Sequence, residues 1–106
     1  MTDPASMLLH RLRSSAAGLL AVLNALSLAE AGKDFPHLLV ENPLEAYRVV
    51  LRYTRGDRRK ARYLLTSILI GIIGSPLETE KVVEALERGD PRPLQEILRR
   101  FAGAQG

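Results

Sequence analysis

Two related segments decide the fold that this chain is expected to adopt. Residues 41–57 read ENPLEAYRVVLRYTRGD and residues 74–90 read GSPLETEKVVEALERGD, so eight of the 17 aligned positions are identical at an offset of 33 residues. The identical positions include two adjacent valines in each segment, which helix capping alone does not require. Repeats of this length are typical of stacked helical units that cannot bury their apolar faces alone. We therefore predict a duplicated helical hairpin.

Helix start and stop signals bound the two segments in the same way. Asn42 and Ser75 each precede a proline and are followed by a glutamate at the third helical position, which is an N-terminal capping pattern. A Gly-Asp pair then ends each of these helices and opens the next one. These signals predict a first hairpin over residues 41–73 and a second over residues 74–103.

The segment before the repeat predicts a long helix. Pro4 can begin it and Gly32 can end it, and Pro36 then opens a short helical segment, so that residues 1–40 form the leading unit. Residues 16–29 also resemble a signal peptide, because an apolar stretch follows basic residues and precedes small ones. Polar residues in and before this stretch fit a signal peptide poorly, and the chain has no cysteine for disulfides. We favour an amphipathic helix of a cytoplasmic protein.

Length and composition limit the chain to one domain. It has 106 residues and a mass of 11.7 kDa, with 46% apolar and 25% charged residues, as in ordinary globular proteins. The absence of cysteine excludes thiolate zinc sites and thiol catalysis. The prediction is a single all-α domain, a compact bundle of about five to six helices in which two stacked hairpins pack on a long N-terminal helix. Many arginines and leucines with no cysteine also give the sequence a thermophile-like composition.

An unusually apolar stretch follows the first Gly-Asp pair. Residues 64–73 read LLTSILIGII, which is far shorter than the roughly 20 residues of a membrane span. A buried strand is an alternative to a helix here, since periodicity does not distinguish the two in so short a run. A helix that is apolar all round must be covered by other helices or by a second copy of the chain. The residues assigned to such a self-association surface are Ile68, Leu69, Ile72 and Ile73.

Positive charge is concentrated in one part of the sequence. Residues 41–62 carry a net charge of +4, whereas the rest of the chain sums to −1. The cations are Arg48, Arg52, Arg55, Arg58, Arg59, Lys60 and Arg62. Cations at a helix N-terminus oppose its dipole, whereas a bound phosphate would use the free amides and the guanidinium groups together. Tyr53 and Tyr63 flank this cluster and either stack on bases or serve as half-buried anchors.

An acidic helix face offers a different explanation for the same cluster. The second segment carries Glu78, Glu80, Glu84 and Glu87. If these carboxylates pair with the arginines, the cluster stabilises the fold. If the arginines instead extend into solvent beside a free helix end, binding of DNA or RNA phosphates becomes the better interpretation.

The sequence lacks the constellations that catalysis requires. His10 and His37 are the only histidines, and there is no phosphate-cradling Gly-rich loop or nucleophile elbow. We expect no enzyme activity, metal, cofactor, small-molecule substrate or membrane partner. The leading prediction is a helical protein–protein interaction module, self-associating or part of a larger complex. The alternative is a nucleic-acid-binding module that uses the arginine-rich surface of residues 48–62.

Overall fold

The computed structural model describes the backbone of residues 4–105 and the side chains of residues 18–100. Residues 4–105 form six helices and no strand, which confirms the predicted all-α bundle. The helices are α1 (Pro4–Ala31), α2 (Phe35–Glu41), α3 (Pro43–Tyr53), α4 (Arg58–Ile73), α5 (Pro76–Glu87) and α6 (Arg92–Gln105).

The two related segments begin their helices with the same capping arrangement. The Asn42 side-chain oxygen accepts a hydrogen bond from the Glu45 amide at 3.3 Å, and the Ser75 hydroxyl accepts one from the Glu78 amide at 3.3 Å. A proline follows each cap, where its missing N–H costs no hydrogen bond. Local sequence therefore sets where α3 and α5 start.

Helix α1 supports the other helices along its length. It contacts α2, α3, α4 and α6. The Asn24 side-chain oxygen accepts a hydrogen bond from the Phe35 amide at 2.9 Å, which ties α1 to the start of α2. Phe35 is fully buried in the core that these helices share. Within residues 4–105, no helix has both the length and the apolar character needed to cross a membrane.

Helix α4 is covered by its own chain. It packs against α1, α3 and α5, and Ile68, Leu69 and Ile72 are 2%, 0% and 8% exposed. Ile73 is half-buried against the same core. The assignment of Ile68, Leu69 and Ile72 to a self-association surface is therefore corrected, because neighbouring helices already remove their apolar area from water. Ile73 is only partly covered, and its assignment stays a prediction. The alternative of a buried strand at residues 64–73 is wrong, since all ten residues are helical.

The adjacent valines of the two segments meet in one core. Val49, Val50, Val82 and Val83 are each no more than 2% exposed and belong to the same hydrophobic cluster. Helices α3 and α5 contact one another, as do α3 and α4, and α5 and α6. The two valine pairs that the segments share thus lie in the core of the bundle.

Candidate functional site

The turn between α3 and α4 has a backbone conformation that is unusual for its residues. The Gly56 amide donates a hydrogen bond of 2.7 Å to the Leu51 carbonyl, which closes the end of α3. Arg55 (φ +57°) and Gly56 (φ +82°) are both in the left-handed region. Glycine adopts this region readily, whereas an L-residue such as Arg55 loses about 1–2 kcal/mol there. The turn therefore holds Arg55 in a strained conformation.

The next residue in the turn, Asp57, caps helix α4. Its carboxylate accepts hydrogen bonds from the Arg59 amide at 3.1 Å and the Lys60 amide at 3.2 Å. The free helix end considered from the sequence is thus already occupied by the chain's own carboxylate. This corrects one part of the anion-binding argument, because an incoming phosphate would have to use side chains rather than these two amides.

Two of the seven predicted binding cations pair with carboxylates beside α3. The Arg48 guanidinium lies 2.9 Å from the Glu45 carboxylate on the same helix. Arg52 forms an ion pair with Glu30 of α1, and the Glu30 side chain is the more buried partner of the two. Sequence reasoning missed the Arg52–Glu30 pair, because nothing in the local pattern indicates that the end of α1 lies against α3.

A further cation joins α4 to the acidic face of α5. The Arg62 guanidinium donates two hydrogen bonds to the Glu87 carboxylate, from Nε at 3.1 Å and from Nη2 at 2.5 Å. The hydrogen bonding and charge of Glu87 raise the pKa of Arg62, with weaker contributions from the charges of Glu84 and Glu80. Of the predicted acidic face, Glu87 alone forms an ion pair with the cluster among the described side chains.

Arg58 lies one turn before Arg62 on the same side of α4. Both line a small cavity of about 310 Å³ together with Tyr47, Leu51 and Glu87. Burial raises the pKa of the Tyr47 hydroxyl, and the negative charge of Glu87 adds to this shift. This side of α4 is therefore turned towards α5 and faces a carboxylate.

On the neighbouring side of α4, by contrast, the cations line a groove without a carboxylate. A groove of about 670 Å³ lies between the end of α3 and the first turns of α4. We call it the tyrosine–cation groove; its lining residues are Tyr53, Thr54, Arg55, Arg59, Lys60, Tyr63 and Leu64. No carboxylate is among them.

The side chains of the tyrosine–cation groove are available to a ligand. Tyr53 is 41% exposed and Tyr63 is 72% exposed, so neither is the half-buried anchor considered from the sequence. Arg55, Arg59 and Lys60 are exposed as well. Within the part of the chain whose side chains are described, these three cations form no ion pair. The groove thus combines three free positive charges with two open aromatic rings.

Helical spacing explains how the structure divides the cations. Residues four apart share one side of a helix, so Arg58 and Arg62 face α5, while Arg59 and Tyr63 lie on the adjacent side with Lys60 next to them. The sequence predicted one surface that contains all seven cations, whereas the structure separates them into paired and unpaired sets. The spacing was visible in the sequence, but the position of α5 was not.

The side chains that line the tyrosine–cation groove suit two kinds of ligand group. Guanidinium and ammonium groups suit phosphate oxygens, and tyrosine rings suit planar bases. Among the described residues, no three His, Cys, Asp or Glu side chains are grouped as metal ligands. Comparison of the chain with known protein families, curated proteins and solved structures finds no match.

Proposed function

We propose that this protein binds nucleic acid through the tyrosine–cation groove. The observation that supports the proposal most is the coincidence, in one groove without carboxylates, of three unpaired cations and two exposed tyrosines. Phosphates supply the missing negative charge, and bases supply flat surfaces for the rings. The cytoplasmic location favoured by the cysteine-free sequence is compatible with such a partner.

The strain at Arg55 adds to this argument. A left-handed arginine costs stability, and among the described side chains its guanidinium forms no ion pair that would offset that cost. Strained residues of this kind cluster at binding sites, where the gain comes from the ligand. An arginine at this position can bind phosphate oxygens in a bidentate manner.

The first test compares two variants with the same change in net charge. The groove variant combines Arg55→Asn, Arg59→Gln and Lys60→Gln. The control variant combines Lys81→Gln, Arg88→Asn and Arg99→Gln, three exposed cations outside the groove. Asparagine suits position 55 because it tolerates the left-handed region better than most residues.

We expect the groove variant to lose binding of a labelled oligonucleotide, measured by fluorescence anisotropy, while the control variant keeps most of it. Circular dichroism checks that both remain helical. For wild type, neutralising three phosphates predicts that log K falls with log salt with a slope of about −2 on single strands. An equal loss in both variants would mean that net charge alone governs binding, and would reject the groove as the site.

A helical interaction module is the second candidate function. The apolar helix α4, from which the sequence predicts this function, is largely buried, but Leu28 and Leu77 are large apolar residues that are 54% and 66% exposed. Exposed apolar side chains of this size support a protein contact when they form a patch. Light scattering tests self-association, and the change Leu77→Glu should reduce it. A strictly monomeric species at high concentration would remove the homodimer from consideration.

A further inference from the structure

We infer that the tyrosine–cation groove selects single-stranded over double-stranded nucleic acid, with Tyr53 and Tyr63 as stacking platforms for unpaired bases. This inference rests on the proposed function and narrows it to one substrate class.

The two tyrosines belong to different helices and line the same groove. Tyr53 is the last residue of α3, and Tyr63 lies in the second turn of α4. Leu64 adds apolar surface between the cations and the core. Each of the two helices that border the groove therefore presents a tyrosine ring, next to Arg55, Arg59 and Lys60 in the same lining.

Both rings leave a large part of their surface exposed to solvent. Tyr63 is 72% exposed, which leaves most of a large apolar ring in water. By contrast, Tyr47 of the same helix as Tyr53 is 8% exposed and belongs to the core. A ring that contributes little to the core gains its contact area only when a partner covers it.

A duplex does not provide the surface that these rings require. Inside a double helix each base is stacked on its neighbours and offers only its edges in the grooves. In a single strand the bases can separate and stack on aromatic side chains, while the backbone follows adjacent cations. Stacking is available with every base, so we expect tolerance of sequence rather than base-specific recognition.

The charge of the groove indicates how many nucleotides it can contact. Three cations correspond to about three neutralised phosphates, which places the site at the short end of the roughly 4–16 nucleotides that single-strand-binding folds occupy. A short oligothymidylate is therefore a sufficient probe. The duplex comparison uses a longer oligothymidylate that stays annealed to oligoadenylate at the assay temperature, and the same longer strand is also measured unpaired.

The test measures binding of both probes to the wild-type chain and three variants. One variant combines Tyr53→Ala with Tyr63→Ala, and a second combines Tyr53→Phe with Tyr63→Phe, which retains both rings. Leu77→Ala is the matched control, because it removes an exposed apolar side chain outside the groove. All three positions changed are exposed, so folding should be preserved.

We expect the single strand to bind the wild type at least about ten-fold more tightly than the duplex. At about ten-fold per ring, loss of both rings in the alanine variant should weaken single-strand binding about a hundred-fold. The phenylalanine variant and Leu77→Ala should bind like the wild type. Equal affinity for strand and duplex, or no effect of the alanine variant, would overturn the selectivity while leaving nucleic-acid binding intact. No binding of either probe would instead reject the proposed function itself.

Discussion

The turns at residues 55–57 and 88–90 have the same sequence, Arg-Gly-Asp, but different backbones. In the first, Arg55 is left-handed and the Gly56 amide closes the helix end. In the second, Arg88 stays right-handed with φ −84°, and the Asp90 amide makes the closing bond, 2.8 Å long, to the Ala85 carbonyl. Helix α5 is consequently one residue longer than α3.

This one-residue difference accompanies different surroundings for the residues before each turn. Tyr53 is 41% exposed in the tyrosine–cation groove, whereas its counterpart Leu86 is 2% exposed in the core. Thr54 lines the groove, whereas its counterpart Glu87 binds Arg62. Identical capping residues thus fix where a turn occurs, and the residues that differ decide whether the side chains before it are buried or line the tyrosine–cation groove.

The largest contrast is expected between the aligned positions 53 and 86. Leu86→Ala leaves a cavity in the core and should lower the free energy of unfolding by about 3 kcal/mol. Tyr53→Ala should lower it by only about 0.5 kcal/mol, because the ring is substantially exposed. Urea denaturation followed by circular dichroism measures both changes. Similar losses at the two positions would show that Tyr53 is part of the core.

Substitution of the two turn arginines by glycine should have effects of opposite sign. Arg55→Gly relieves the left-handed strain and should stabilise the fold by about 1 kcal/mol. Arg88→Gly should destabilise it by about 0.5–1 kcal/mol, because a right-handed position gains nothing from glycine and the unfolded chain becomes more flexible. Thermal unfolding compares the two variants. Changes of the same sign would contradict the difference in backbone between the turns.

The ion pair between α4 and α5 should limit nucleic-acid binding slightly. Glu87→Gln removes the carboxylate that holds Arg62, so the pKa of Arg62 should fall and its guanidinium should become available next to Arg58. We expect a modest gain in oligonucleotide affinity with a small loss of stability, because exposed ion pairs stabilise little. Weaker oligonucleotide binding by this variant would show that the pair is needed to shape the site.

The smallest expected effect concerns acid stability at the second turn. Hydrogen bonds donated by the Arg92 side chain and amide hold the pKa of Asp90 below its ordinary value. A lowered folded-state pKa means that this contribution is present above about pH 4 and is lost as the pH falls through the folded-state value. Asp90→Asn should therefore reduce the fall in stability on acidification. An unchanged pH dependence would contradict this role of Asp90.

The sequence predicted most of the fold because its signals are local. Prolines, capping residues and glycines lie next to the helix ends that they define, so the boundaries of α3, α4 and α5 follow from a few adjacent residues. The burial of Ile68 and Leu69 by neighbouring helices was not predictable in the same way. It depends on the placement of α1 and α5 around α4, which short-range patterns do not specify.

The candidate site was predicted in composition but not in arrangement. The sequence identified all seven cations and both flanking tyrosines, yet it did not separate Arg62, which pairs across 25 residues, from Arg59, which has no such partner among the described side chains. It also did not indicate that Arg55 would be left-handed, because the identical tripeptide at residues 88–90 closes its helix in another way.

The central claim is that binding belongs to the first turn and not to its counterpart. Amide chemical shifts of the isotope-labelled chain, recorded while a short oligothymidylate is added, test it directly. The account predicts saturable shifts concentrated in residues 53–64, with the aligned residues 86–97 largely unchanged. Equal perturbation of both ranges, or shifts confined to residues 86–97, would contradict it.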